Sequence, residues 1–366
     1  MQTKSQTAIV QSADPPKSGS LPLSVCTSAA IPALLTEHHV LVKVLAVALN
    51  PVDCKTPLYF QTPGQGVGSD FCGIVVECGV GATELSPGTR VCGAVFPYTV
   101  SAEEGIAYAS GAFAEWVAVD ARLLIRVPDY WDDIQGAALG GIGWGTVALA
   151  MSDVDALALD GLPSEPSAAE EPVLVYGGGT ATGTMACQLL SLSGYLPIAT
   201  ASTQSAALAI KYGAVGTAVY TSEDCVETVR QLGRVPIRYA IDCITSPESV
   251  ATCFSAMART GGRYACLEEL DDAWRTRRLI RVKHVKGYEG TGQSVRLSPK
   301  HACQSNPALF LLCCQWRDEV QAVLDLGLLK HHPVREIPGK WDGILSGLAM
   351  LSNGQVRGQK LVVRVG

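Results

Sequence analysis

Pro172–Tyr195 (PVLVYGGGTATGTMACQLLSLSGY) is the stretch whose residue types most plainly announce chemistry. Val173–Tyr176 reads as a buried strand. Gly177, Gly178, Gly179, Thr180, Ala181 and Thr182 follow as a turn. From Gly183 a helical pattern puts Ala186, Leu189 and Leu190 on one face. Strand, glycine turn and helix start together make a phosphate cradle. Glycines let backbone N–H groups approach, and the helix N-terminus adds partial positive charge. The spacing G-x-G-x-x-x-G departs from the plain G-x-G-x-x-G fingerprint, with Thr182 where the last glycine would fall. Thr180 and Thr182 offer hydroxyls to a pyrophosphate. A bare strand-to-helix turn gives similar letters, and the flanking strand and helix favour the cradle.

The ligand such a cradle takes is a dinucleotide. An NAD-selecting site has Asp or Glu at the end of the second strand, about 20 residues past the glycines. Here that place is Ile198–Gln204, IATASTQ, which contains no acid. Ser202 and Thr203 are hydroxyls suited to a 2′-phosphate, so the expected cofactor is NADPH. The alternative for Ser202 is a helix cap. Asp242 ends a later strand, where ligands of parallel sheets lie. Cys243 and Ile244 flank the nicotinamide through their backbone in this reading.

These groups need a scaffold. At 366 residues, two domains are expected. The chain is 48% hydrophobic and 17% charged, enough for a sizeable core. A net charge of −6 gives no reason to expect nucleic-acid binding. No apolar run of membrane-spanning length and no signal-type apolar core at the N-terminus is seen, so a cytoplasmic location is expected. Thirteen cysteines, with no C-x-x-C pair, read as reduced and mostly buried thiols.

The fold class is α/β. Short strands at Thr7–Val10, Val40–Ala48, Asp70–Cys78, Arg90–Phe96, Gly111–Val119 and Leu123–Val127 predict a small β barrel over 1–151. Asn50–Lys55 reads as a turn, Gly73 as a bulge or close approach, and Asp132–Met151 as helices around the glycines Gly140–Gly145. Residues 152–171 are acidic and read as a surface insertion or linker. Strands and helices then alternate over 172–329, which predicts a Rossmann doubly wound parallel sheet. Gly290–Gln304 reads as a loop. Residues 330–366 return to the barrel through the strand Lys360–Val365.

NPVDCK (Asn50–Lys55), PGQGVGSDFCG, VLVYGGGTATGT, RYAIDCITSPES, LLKHHPV and GQKLVVRV resemble the zinc-free medium-chain dehydrogenase/reductases over nearly the whole chain. Within them the chain is most similar to the trans-acting enoyl reductases of fungal highly reducing polyketide synthases, the lovastatin type. The resemblance implies a GroES-like β barrel domain joined to the Rossmann domain, NADPH as cofactor, and a monomer. It also implies a partner polyketide synthase, with or without a fused peptide synthetase module, whose acyl carrier domain presents the substrate. Zinc-dependent relatives place Cys, His-Glu and a later Cys or Asp where this chain has Asn50, Ser69-Asp70 and Gly140–Gly145, so no metal is expected. Their cysteine-rich zinc lobe is missing between Val95 and Gly111.

The resemblance assigns the 2′-phosphate to Ser202, a lysine near Lys211, and Tyr220. Lys211 is offset by one, with Ile210 in the matching slot; a solvated helix lysine is the other reading. Lys55 either bonds the thioester or the ribose, or helps deliver a proton, or is a surface lysine. Thr146 matches a threonine near the nicotinamide, against a helix-cap hydroxyl. Asp53 is expected to cap its own turn. The basic run Trp274–Lys286 either receives an acidic carrier domain or is a solvated face. A zinc-free cleft suits hydride addition to the β carbon of an enoyl thioester, with the developing enolate held by hydrogen-bond donors. The alternatives are a free-standing quinone or alkenal reductase and a non-catalytic NADPH-binding scaffold.

Overall fold

A computed structural model describes residues 5–14, 20–100 and 111–366. The expectations resting on residues 1–4 of the N-terminus, and on 101–110 where a zinc lobe would lie, fall outside these. The chain forms two compact units. One comprises Met1–Ile142, Tyr288–Arg317 and His331–Gly366; the other comprises Gly143–Gly287 and Asp318–Lys330.

In the first unit, seven strands among the described residues make the main sheet, centred on His39–Ala48. One edge of this strand takes Asp70–Cys78, antiparallel. The other edge is shared: Trp116–Asp120 pairs with its first half and Lys360–Arg364 with its second. The C-terminal strand thus returns to the N-terminal sheet. Val40, Val42, Val44 and Val47 are buried with Phe71, Phe113, Ile344, Leu361 and Val363 in one core. At Gly73 a Cβ would collide with the Lys43 carbonyl, and the pairing slips a register between Val44 and Ala46. Glycine there permits the close strand approach.

Several elements differ from the sequence reading. Asn50–Lys55 is no turn but the start of a helix, Pro51–Tyr59, with Pro51 in its first turn. Asn50 N–H donates to Asp53 Oδ2 at 2.8 Å, which closes a capping box. A proline after a polar residue starts a helix as readily as a turn. Leu23–Ala30 is an additional strand, paired with Ser5–Gln11. Residues 288–317 belong to the first unit, not to the 172–329 block. Ser294–Val295, inside the expected loop, pairs with Thr99–Val100, and Phe96 stacks on Tyr288 at 4.5 Å. Asp133–Ser152 is long and apolar enough to cross a membrane, but it forms two helices, Asp133–Leu139 and Ile142–Ser152, most of whose residues are buried within the protein.

The second unit holds a six-stranded sheet, parallel throughout. Its order is Gly216–Val219, Leu196–Ala201, Pro172–Tyr176, Tyr239–Asp242, Gly262–Cys266, Ile280–His284. That is the Rossmann order 3-2-1-4-5-6. The central strand Pro172–Tyr176 is buried at every position, as strands covered by helices on both faces must be. Residues 152–171 are not a surface insertion. Leu157 and Leu159 are buried, and Tyr195 donates its hydroxyl to Asp160 at 3.0 Å while accepting from Gly161 N–H. Alternating small and acidic residues hid this packing from the composition.

Candidate functional site

In the second unit the turn after Pro172–Tyr176 leads directly into the helix Ala181–Leu192. Gly177 has φ +82°, a backbone state that glycine adopts at little cost. A Cβ on Gly183 would collide with the Gly177 carbonyl oxygen, so helix and strand meet only because residue 183 lacks one. A Cβ on Gly178 would come within 2.5 Å of Ala199 Cβ, and one on Gly179 would strike Ser205. Thr180 caps the helix: its hydroxyl accepts from Gly183 N–H at 3.0 Å and donates to Gly177 O at 2.8 Å. Thr180 thus shapes the cradle with its hydroxyl. Ala181 and Thr182 lie in the helix's first turn, only partly buried, with its free N–H groups.

Ala201 ends the neighbouring strand, and no acid follows it before Ser205. Ser202 Oγ bonds Ser205 Oγ and accepts from Ser205 N–H, both at 3.2 Å. It is therefore a local cap that keeps acceptor capacity toward solvent, beside exposed Thr203. Lys211 is exposed in the last turn of the helix Ala206–Lys211, the end away from Ser202, with Ile210 also exposed. Tyr220 is exposed and lies 6.4 Å from the Tyr176 ring.

Asp242 is fully buried and its carboxylate is occupied from within the unit. Oδ1 accepts from Ile244 N–H and Thr245 N–H, both at 2.9 Å; Oδ2 accepts from Ser249 Oγ at 2.5 Å and Tyr264 Oη at 2.6 Å. Burial and this carboxylate push the Tyr264 hydroxyl far above its ordinary range, so it stays a donor. Asp242 therefore holds the loop Cys243–Thr245, in which Thr245 has φ +57°, with its carboxylate engaged by four donors of its own unit. Cys243 is raised by burial and Asp242, beyond any thiolate role at neutral pH. Ile244 touches the space a Gly177 Cβ would fill and is 43% exposed.

Thr146 sits inside the helix Ile142–Ser152, 8% exposed, which removes the helix-cap reading. A Cβ on Gly287 would lie 2.7 Å from its hydroxyl oxygen. In the basic run, Arg277 is structural: its guanidinium binds the carbonyls of Phe254, Met257 and Ala258 at the end of the helix Pro247–Ala256. Lys283 pairs with Asp153 at 3.4 Å. Arg275, Arg278 and Arg281 are exposed.

In the first unit, Lys55 is exposed on its helix, with Asp53, Cys54, Thr56 and Pro57 buried on either side of it in the chain. Asp53 is buried; Oδ1 accepts from Ser69 Oγ at 2.7 Å. Burial, opposed in part by the Ser69 and Asn50 hydrogen bonds, raises its carboxyl to about 7. Next to it lies a polar cluster whose lysine the sequence reading missed. Lys360 donates from Nζ to Asn50 Oδ1 at 2.5 Å and to Asp70 Oδ2 at 2.9 Å. Asn50 Nδ2 also donates to Asp70 Oδ2 at 2.8 Å, and Asp70 Oδ1 accepts from Gly141 and Ile142 N–H at 2.8 and 2.9 Å. A lysine ammonium group thus bridges Asn50 and Asp70. Among the described residues no three of His, Cys, Asp and Glu gather as a metal-ligand set. Burial, then Lys360, holds His332 neutral, down to about 4. The clue to Lys360 was a cation opening an apolar strand, KLVVR.

With both units described, comparison with known proteins decides the family. The pattern of the alcohol dehydrogenase GroES-like domain matches residues 36–129. A trans-enoyl reductase of Penicillium decumbens, calK, is 54% identical across 100% of this chain and 99% of its own. The chain belongs to the trans-enoyl reductases. A second relative, the trans-enoyl reductase sthE of Phaeosphaeria nodorum, is 48% identical over 98% of this chain and 97% of its own. The fold is that of the medium-chain oxidoreductases: the Escherichia coli quinone oxidoreductase solved with NADPH superposes with TM-score 0.70 at 17% identity, covering 98% of this chain and 99% of that one. This trans-enoyl reductase is accordingly an oxidoreductase that carries a GroES-like domain and a Rossmann sheet.

Proposed function

We propose that this trans-enoyl reductase transfers hydride from NADPH to the β carbon of an α,β-unsaturated polyketide thioester held on the acyl carrier domain of a partner synthase in the cytosol. The observation that carries the cofactor choice is the end of the strand Leu196–Ala201. It lacks the acid that would repel a 2′-phosphate and presents Ser202 and Thr203. Gly177–Gly183 and the N-terminus of the helix Ala181–Leu192 would take the pyrophosphate, and Tyr220, exposed just after the strand Gly216–Val219, would take part in holding the 2′-phosphate. The loop Cys243–Ile244, held by Asp242, would face the nicotinamide. Lys55 and Thr146 are the groups proposed to meet the substrate. NADPH supplies the hydride; the protein supplies orientation, donors for the enolate oxygen and a proton for the α carbon.

Two assays test this. The purified protein should oxidise NADPH with a pantetheine-linked enoyl thioester, and bind an isolated carrier domain. Reduction of simple quinones with no thioester turnover would instead make it a free-standing quinone reductase. For the cofactor, Ser202→Asp is expected to raise the KM for NADPH at least about tenfold, through like-charge repulsion, while changing that for NADH far less. Equal effects on both cofactors would contradict the assignment of the 2′-phosphate to Ser202.

A further inference from the structure

Asp53 and Ser69 both line a narrow cleft of the first unit, together with Val52, Thr56, Phe96 and Tyr98. A carboxylate three residues into a helix ordinarily sits in water and stays ionised, stabilised by the helix N-terminus. Asp53 occupies that capping position yet is 3% exposed, and its second oxygen is bonded to the Ser69 hydroxyl at 2.7 Å. Ser69 donates to the carboxylate; when Asp53 is protonated the bond reverses, Asp53 O–H donating to Ser69 Oγ and the Ser69 O–H turning toward the cleft, since a hydroxyl can donate and accept at once. We propose that Asp53 and Ser69 form the proton relay of the reduction, with Ser69 delivering to the substrate's α carbon and Asp53 supplying Ser69. This rests on the enoyl reductase reading above.

The step balances as follows. Hydride reaches the β carbon, and the C=C electron pair moves onto the α carbon and thioester carbonyl as an enolate. The α C–H bond forms as the Ser69 O–H bond breaks. Ser69 takes the Asp53 proton, and the carboxylate left on Asp53 is reprotonated by water before the next turnover. The surroundings suit an acid of this strength. Burial raises Asp53 to about 7, against the lowering effect of its bonds to Ser69 and Asn50 N–H. Asp70 raises it further and Lys360 opposes. The other titratable neighbours are Cys54, which burial pushes up to about 12, and Tyr98, pushed higher still by burial; both remain neutral. Thus Asp53 can hold its proton near neutral pH, where a carboxyl at its usual value is ionised.

The test uses Asp53→Asn and Ser69→Ala. The amide keeps an acceptor for Asn50 N–H and a donor toward Ser69, so it copies the protonated acid without a transferable proton. With NADPH and an enoyl pantetheine thioester, kcat of the wild type should fall as pH rises through about 7, as the acid ionises. Either variant should lower kcat about 100-fold, leave the NADPH KM within about twofold, and lose that limb of the profile. Variants with near wild-type kcat, or with reduced kcat and an intact limb, overturn the relay; the second result would mark Asp53 as structural. A difference infrared spectrum of the free protein gives a reading independent of turnover. It should show a protonated carboxyl band near neutral pH that Asp53→Asn removes, and its absence also overturns the relay. A wild type that shows this band yet reduces no enoyl thioester counts against the enoyl reductase reading instead.

Discussion

Asp242→Ala is expected to destabilise the protein by about 3–5 kcal/mol and to abolish NADPH binding. The buried side chain accepts four hydrogen bonds, from two backbone N–H groups and the hydroxyls of Ser249 and Tyr264; Thr245, Ser249 and Tyr264 are buried, and the Ile244 N–H lies at the half-exposed end of the loop. Alanine leaves those donors unpaired, and each buried unpaired donor costs about 1–3 kcal/mol where no water replaces the lost partner. The loop they hold contains Thr245 at φ +57°, a conformation that a threonine keeps only when its surroundings enforce it. Loss of the hub therefore releases Cys243–Ile244, and with it the surface against Gly177. Urea unfolding and NADPH titration read the two effects. A variant within 1 kcal/mol of the wild type that still binds NADPH would show that Asp242 does not hold this loop.

Lys360→Met should cost a similar amount, about 3–5 kcal/mol, for a different reason. Methionine fills much of the lysine's volume but leaves Asp70, fully buried, without its counter-charge and Asn50 Oδ1 without its donor. Breaking one side of a buried pair is costly even where the intact pair adds little net stability. The double variant Lys360→Met/Asp70→Asn removes the stranded charge while Asn keeps an acceptor for the Gly141 and Ile142 N–H groups. It should be more stable than Lys360→Met alone. Additive losses in thermal unfolding would show that the two groups are not coupled.

The second unit was the more legible in sequence because its signals are local. Pro172–Tyr176, the glycine turn and the helix after it stand consecutively in the chain, and the alternation of strands and helices pointed to a doubly wound parallel sheet. Long-range partnership was harder to read. Lys360 meets Asn50 and Asp70 across about 300 residues, and nothing in KLVVR names those partners. Ser294–Val295 joins the first unit through a two-residue pairing, too short for any periodic signal. Residues 152–171 look like a linker by composition, yet a tyrosine hydroxyl on Asp160 and two buried leucines anchor them. Asp242 ends its strand, as the sequence indicates. Its four internal donors, two of them on Ser249 and Tyr264, only the fold brings together. Asp53 caps its helix as its letter and place imply, but that the cap is buried against Ser69 follows from the packing of Asp70–Cys78 beside it.

The central claim, hydride from NADPH to the β carbon of an enoyl thioester, is tested most directly with NADPH deuterated at the transferable position. Incubation with a pantetheine-linked enoyl thioester and mass and NMR analysis of the product locate the label. The account predicts a saturated thioester with deuterium on the β carbon, a solvent hydrogen on the α carbon, and much slower turnover with deuterated NADH. An unreduced thioester, or deuterium anywhere other than the β carbon, would contradict it.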